Sequence, residues 1–143
     1  MTIENDTSAD ALNEALGLVR RLAMDPAGRA VLEYRASLNM CHSGGVVQGG
    51  FISGWLDAAM AHAVIANTGF EMTPMSLELK ISFFAPARPG LVTAEGWIEK
   101  PGRSTCFTEG RLLDPTGAVL AKASSTIRLI PRAKVEAASR AAR

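Results

Sequence analysis

The stretch "GGVVQGGFISGWLDAAMAHAVIAN", residues 44–67, decides how this sequence folds. From Phe51 onward it lacks the two-residue alternation of a half-buried strand. Bulky Phe51, Ile52, Trp55, Leu56, Met60, Val64 and Ile65 are mixed with Ala58, Ala59, Ala61, Ala63 and Ala66. Alanine-rich and apolar on most sides, the segment predicts a buried helix over 51–67, and other structure must wrap around it. Ahead of it, Gly44, Gly45, Gly49 and Gly50 permit close backbone approach, while the helix start offers unpaired N–H groups able to hold an anion or a developing oxyanion. A tight turn explains the same glycines. Within the helix stands one carboxylate, Asp57, either a local hydrogen-bond acceptor or a group kept for chemistry, since a buried charge is costly without a partner. Its helical neighbours Ser53, Gly54 and Ala61 are small, which leaves room for a ligand or for the backbone of a second chain.

Outward from this helix the rhythm changes. "MSLELKISFFAPA" alternates Leu77, Leu79, Ile81 and Phe83 with Ser76, Glu78, Lys80 and Ser82, a half-buried strand stopped near Pro86. "GLVTAEGWIEK" and "STCFTEGRLLD" read as two more strands about the turn "PGR" at 101–103, and "AVLAKASSTIRLI" as a last one after the tight turn "DPTG" at 114–117. Upstream, "GRAVLEYRASLNM" predicts a strand over about 29–39. In "SADALNEALGLVRRLAMD", Leu12, Leu16, Val19 and Ala23 recur at helical spacing, predicting a helix that ends before Pro26, with Ser8 or Asp10 as its cap. The tail from Pro131 reads as a frayed helix or a disordered segment. Strands grouped after a helix indicate α+β: a curved antiparallel sheet wrapped around one long central helix. Its exposed edges predict a dimer that pairs them.

Composition narrows the function. The 143 residues are 48% hydrophobic, enough for one core without disulfides or metals. Fifteen Lys and Arg against 14 Asp and Glu give a net charge of +1, which argues against nucleic acid or an anionic membrane as partner. Cys41 and Cys106 lack CxxC spacing, the amino terminus is unlike a signal peptide, and no apolar run spans a bilayer, so the expected location is cytoplasmic. Two histidines without HExxH spacing make a metal site unexpected. GxxxxGK[ST], GxGxxG and GxSxG are all absent. His42 is a base, a donor or an ordinary surface histidine; His62 sits five positions from Asp57 on another side of the helix; Ser76 reads as solvent-facing.

Together, "GGVVQGGFISGWLDAAMAHA" and "MSLELKISFFAPARPG" resemble the hotdog-fold acyl-CoA thioesterases of the PaaI-like group, whose pattern is N-x-x-G-x-x-H-G-G, seven residues, then Asp. The resemblance covers roughly 28–130, leaving 1–27 as an N-terminal helical segment and 131–143 as a tail. It implies hydrolysis of an acyl-CoA thioester to a free acid and coenzyme A, with no other cofactor, in a homodimer or dimer of dimers whose sites lie between subunits. It makes Asp57 the nucleophile or general base, the Gly49 N–H the donor to the thioester carbonyl, and Ser76 the residue that orients water. Gln48 stands where the family usually has His, and His42 where it has Asn or Gln. Gly50, Arg88, Arg103 and Ser104 become candidate substrate contacts, and Trp55 and Met60 candidate walls of the acyl pocket. The alternatives are a hotdog module that binds acyl-CoA without turnover and an enoyl-thioester hydratase or dehydratase.

Overall fold

The computed structural model describes residues 7–143. The elements in chain order are α1 (Thr7–Leu16), β1 (Leu18–Asp25), β2 (Arg29–Ala36), the two-residue strands β3 (Cys41–His42) and β4 (Val46–Val47), α2 (Gly49–Thr68), β5 (Met72–Phe83), β6 (Gly90–Lys100), β7 (Thr105–Leu113), β8 (Val119–Pro131) and α3 (Arg132–Ala141). Six strands form one sheet in the order β1-β2-β6-β7-β8-β5, antiparallel throughout, and β3 pairs with β4 apart from it. Helix α2 touches all six strands of the large sheet. Its buried residues Ile52, Trp55, Leu56, Ala59, Met60 and Val64 meet Leu32, Tyr34, Ala94, Leu112 and Ile127 from the strands in one core. The α+β architecture read from the sequence is the observed one.

Close approach of helix and sheet sets the geometry. A Cβ at Gly96 on β6 would lie 2.5 Å from the Ala59 carbonyl carbon and oxygen of α2, so only glycine lets the helix lie this near the strand. On the opposite face of β6, Glu95 accepts from Arg29 Nε of β2 at 3.0 Å and from Arg111 Nε of β7 at 2.9 Å, tying the three adjacent strands. Burial pushes the Glu95 carboxyl up, but the two guanidinium hydrogen bonds and charges outweigh it and hold the group below the usual carboxylate range. The "DPTG" turn forms as read: Asp114 Oδ1 accepts from the N–H groups of Thr116 and Ala118, and Gly117 takes φ +87°.

The amino-terminal reading needs correction. Helix α1 stops at Leu16, and residues 18–25 are an edge strand rather than its continuation toward Pro26. Gly17 turns the chain with φ +78°, and its carbonyl accepts from Arg35 N–H at 2.8 Å. Irregular pairing of β1 with β2, between Leu18 and Arg20 and again between Arg21 and Ala23, breaks the two-residue alternation and leaves a spacing that imitates a helix. Ser8 and Asp10 fall inside the first turn of α1, so neither precedes it as a cap; their side chains lie outside the described residues. The tail is helical, as one of its two readings had it, and α3 buries none of its residues.

Gly96→Ala should therefore cost about 1–3 kcal/mol, the usual range for forcing extra atoms into a packed site. A urea-denaturation midpoint equal to that of the unaltered chain would contradict the Gly96–Ala59 contact.

Candidate functional site

The entry to α2 is strapped on both sides. Val47 N–H donates to Ala87 O and Gln48 N–H to Met40 O, each at 2.9 Å, and the Gln48 side chain caps the helix. The cap explains why α2 begins at Gly49, two residues before its first apolar side chain. Gly44 and Gly45 both have positive φ and face open space, and Arg88 Nη1 donates to Gly44 O at 3.2 Å. Beside Gly49 lies a largely apolar cavity of about 390 Å³, lined by His42, Val46, Val47, Ile52, Phe83, Phe84 and Pro86 among others.

Asp57 finds its partner on β5. Ser76 Oγ donates to Asp57 Oδ1 at 2.6 Å, which leaves Oδ2 free of that contact. Alternation predicts Ser76 facing solvent and Leu77 facing the core; a β-bulge turns Leu77 outward, while Ser76 reaches toward α2 and stays exposed. Ser76 pairs with Ile127 and Glu78 with Thr126, so Leu77 is the extra residue, unpaired and 62% exposed. Ile127 is a core side chain, and Ser76 shares its face, toward α2. Of the small neighbours of Asp57, Gly54 is covered by Leu16 of α1, whose Cδ2 lies 3.2 Å from where a Cβ would stand.

The remaining candidates divide between the start of α2 and the level of Asp57, near its middle. His42, Gln48, Gly49, Gly50 and Arg88 gather at its start. Arg103 and Ser104 lie in the turn before β7; Thr105 is in register with Arg128 and Met75, next to Ser76, which puts this turn toward the level of Asp57. Gly49 and Asp57 are eight positions apart on one helix, about 12 Å along its axis at 1.5 Å per residue. A single carbonyl group cannot meet both within one chain.

Trp55 and Met60 do not line the cavity at Gly49. Both are fully buried, and Trp55 stacks on Tyr34 with ring centroids 5.6 Å apart and donates Nε1–H to Leu16 O at 2.7 Å. The walls include Phe83 and Phe84, of which alternation assigns Phe83 to the apolar face of a half-buried strand. Pro86, marking where the chain leaves the sheet, was the available signal. Among the described residues no group of three or more His, Cys, Asp and Glu side chains is placed to hold a metal, and no helix is long and apolar enough to cross a membrane.

Comparison with known proteins agrees with this architecture. The model of the thioesterase superfamily matches residues 44–121, from the glycine loop into β8. A Saccharolobus solfataricus protein named for a proposed esterase activity is 32% identical over 110 residues, 77% of each chain. The PaaI protein of the Escherichia coli phenylacetic acid degradation operon superposes with a TM-score of 0.78 over 87% of each chain at 22% identity. A Streptococcus pneumoniae hypothetical thioesterase solved with coenzyme A superposes with a TM-score of 0.72, covering 78% of this chain and 85% of its own at 18% identity. At these identities the two structures attest the fold.

His62 offers a test of the helix environment. Burial lowers its pKa, a contact of Nδ1 with Ala58 O at 2.7 Å opposes that, and the Arg21 charge lowers it further. The folded chain therefore favours the neutral ring, whereas the unfolded chain takes up a proton below a pH of about 6.5. Stability should fall as the pH drops from 7 toward 5, by at most about 1.4 kcal/mol per unit from this group. His62→Gln should lose less over that interval in urea denaturation at each pH; equal losses would overturn the assignment.

Proposed function

Because the chain belongs to the thioesterase superfamily and is a thioester hydrolase, we propose that it cleaves acyl-CoA thioesters at a site shared by two protomers, Asp57 and Ser76 from one and Gly49 from the other. The observation that carries this reading is the separation of about 12 Å between Gly49 and Asp57 along α2. A carboxylate and an oxyanion donor must converge on one carbonyl, so a second chain has to supply one of them. The edge strand β5, which among the described residues pairs only with β8, offers a surface for that chain. Met75, Leu77, Leu79 and Phe83 are exposed along it in the single chain. A partner strand antiparallel to β5 would continue the sheet and bring the start of its α2 toward Asp57.

In this site the thioester oxygen receives the Gly49 N–H at the positive end of the helix, which stabilises the charge that develops there. Asp57 acts as base or as nucleophile through the oxygen that Ser76 does not hold. As base it takes a proton from water; the hydroxide adds to the carbonyl carbon, the C–S bond breaks, and the coenzyme A thiolate leaves and is protonated. As nucleophile it forms an acyl-carboxylate anhydride that water opens, with the same products. Arg88 at one end and Arg103 at the other are candidate contacts for the coenzyme phosphates, a reading supported by the coenzyme A in the Streptococcus pneumoniae structure. His42 lines the cavity that would receive the acyl group.

Asp57→Asn should lower kcat for thiol release from acyl-CoAs by about 10²-fold or more with folding unchanged, and Ser76→Ala by a smaller factor. Normal turnover by Asp57→Asn would remove the proposed role.

Sharing of the site has its own test. Gly49→Pro deletes the donor at a first helical position, and Gln48, with ψ 136°, already has the conformation that precedes proline; the added Cβ, 3.1 Å from Phe83 Cζ, requires that half-exposed ring to shift. Each variant alone should be inactive, while co-refolding equal amounts should restore about a quarter of the activity. Random pairing makes half the dimers mixed, and one of the two sites in each is intact. Absence of any recovery would place both residues' function within one chain.

A further inference from the structure

The two glycines that open α2 are glycine for different reasons. A Cβ on Gly49 would stand 3.1 Å from Phe83 Cζ, whereas one on Gly50 would stand 2.6 Å from Gln48 Oε1. Gln48 Oε1 accepts the Gly50 N–H at 2.8 Å, and the Gln48 backbone carbonyl accepts the Phe51 N–H at 3.0 Å. The Gln48 N–H is itself tied to Met40 O. One residue thus consumes the second and third N–H groups of the helix and leaves the first, on Gly49, beside the cavity.

We propose that Gln48 is a positioning residue for thioester hydrolysis: its carboxamide closes off the Gly50 N–H, so that the thioester oxygen meets a single directed donor, the Gly49 N–H. The inference rests on the shared-site reading above. The donor identity of Gly50 fixes the carboxamide orientation, since an N–H can only face the oxygen. An uncapped Gly50 would recruit water and let the first turn fray, moving the Gly49 donor with it. Charge is the second consideration. A carboxylate at position 48 would cap the helix as well or better, because anions are favoured at helix N-termini. It would also stand one residue from the oxygen that becomes negative in the transition state. A neutral acceptor caps without that repulsion. Glycine at position 50 belongs to the same device, because any side chain there would displace the carboxamide.

The test uses Gln48→Ala, Gln48→Asn and Gln48→Glu in the full chain, with thiol release from hexanoyl-CoA and benzoyl-CoA, thermal midpoints, and hydrogen exchange of the Gly50 amide by NMR. Gln48→Ala should lower kcat by about tenfold, less than outright loss of an oxyanion donor, with KM within about twofold and faster Gly50 exchange. Gln48→Asn, a common N-cap, should recover most of both. Gln48→Glu is decisive: it should keep Gly50 protected and the thermal midpoint at or above that of the unaltered chain, yet lower kcat by about 10²-fold. A merely structural cap would leave that variant fully active, and such a result would overturn the proposal. So would a Gln48→Ala variant with kcat within twofold of the unaltered chain. Absence of thiol release by the unaltered chain would instead overturn the hydrolytic site reading, while Gly50 exchange would still report on the cap.

Discussion

Helix α2 lies so close to β6 that Gly96 has no room for one more carbon opposite Ala59. Everything at the candidate site depends on that approach. The helix is held at fixed depth in the sheet, so its start stays near the β5 exit and its Asp57 face stays within a hydrogen bond of Ser76. A helix standing off by a side chain's width would lose both its close packing on the sheet and the 2.6 Å contact, because dispersion and hydrogen bonding alike weaken over fractions of an ångström. Glu95, clamped by Arg29 and Arg111 on the other face, keeps the strands beneath the helix in register and fixes the platform on which it lies.

Legibility in the sequence follows from how far each feature depends on neighbours in the chain. Helix α2 and strands β6, β7 and β8 were readable because their patterns agree with their own burial. The segment Leu18–Asp25 was not, since an irregular edge strand carries no clean period, and Gly17, the residue that ends α1, gave no signal strong enough to interrupt the apparent helix. The outward turn of Leu77 and the contact of Ser76 with Asp57 were hidden by the same kind of event: the bulge belongs to the pairing of β5 with β8, so the alternation of β5 alone cannot disclose it.

The candidate residues were legible individually and their arrangement was not. Asp57 and the paired glycines could be named from type and spacing, and Gln48 from the family resemblance. The separation of about 12 Å between Gly49 and Asp57 required the helix rise, applied to eight positions of one helix. Phe83 escaped notice because a phenylalanine at the end of an alternating strand looks like core. Here it has left the sheet's covered interior and lies across the start of α2, more than half exposed.

The exposed edge of β5 has a consequence for the newly made chain. Strand β5 carries Ser76, and it is also where Met75, Leu77, Leu79 and Phe83 are uncovered beside unpaired backbone. Such an edge is a template for any extended segment that meets it first. The strand that carries the candidate residue Ser76 is thus also an aggregation hazard in isolation. Expression rate, dilution and temperature, which set how often exposed edges meet other chains, then bear on the yield of native protein alongside the stability of the folded domain.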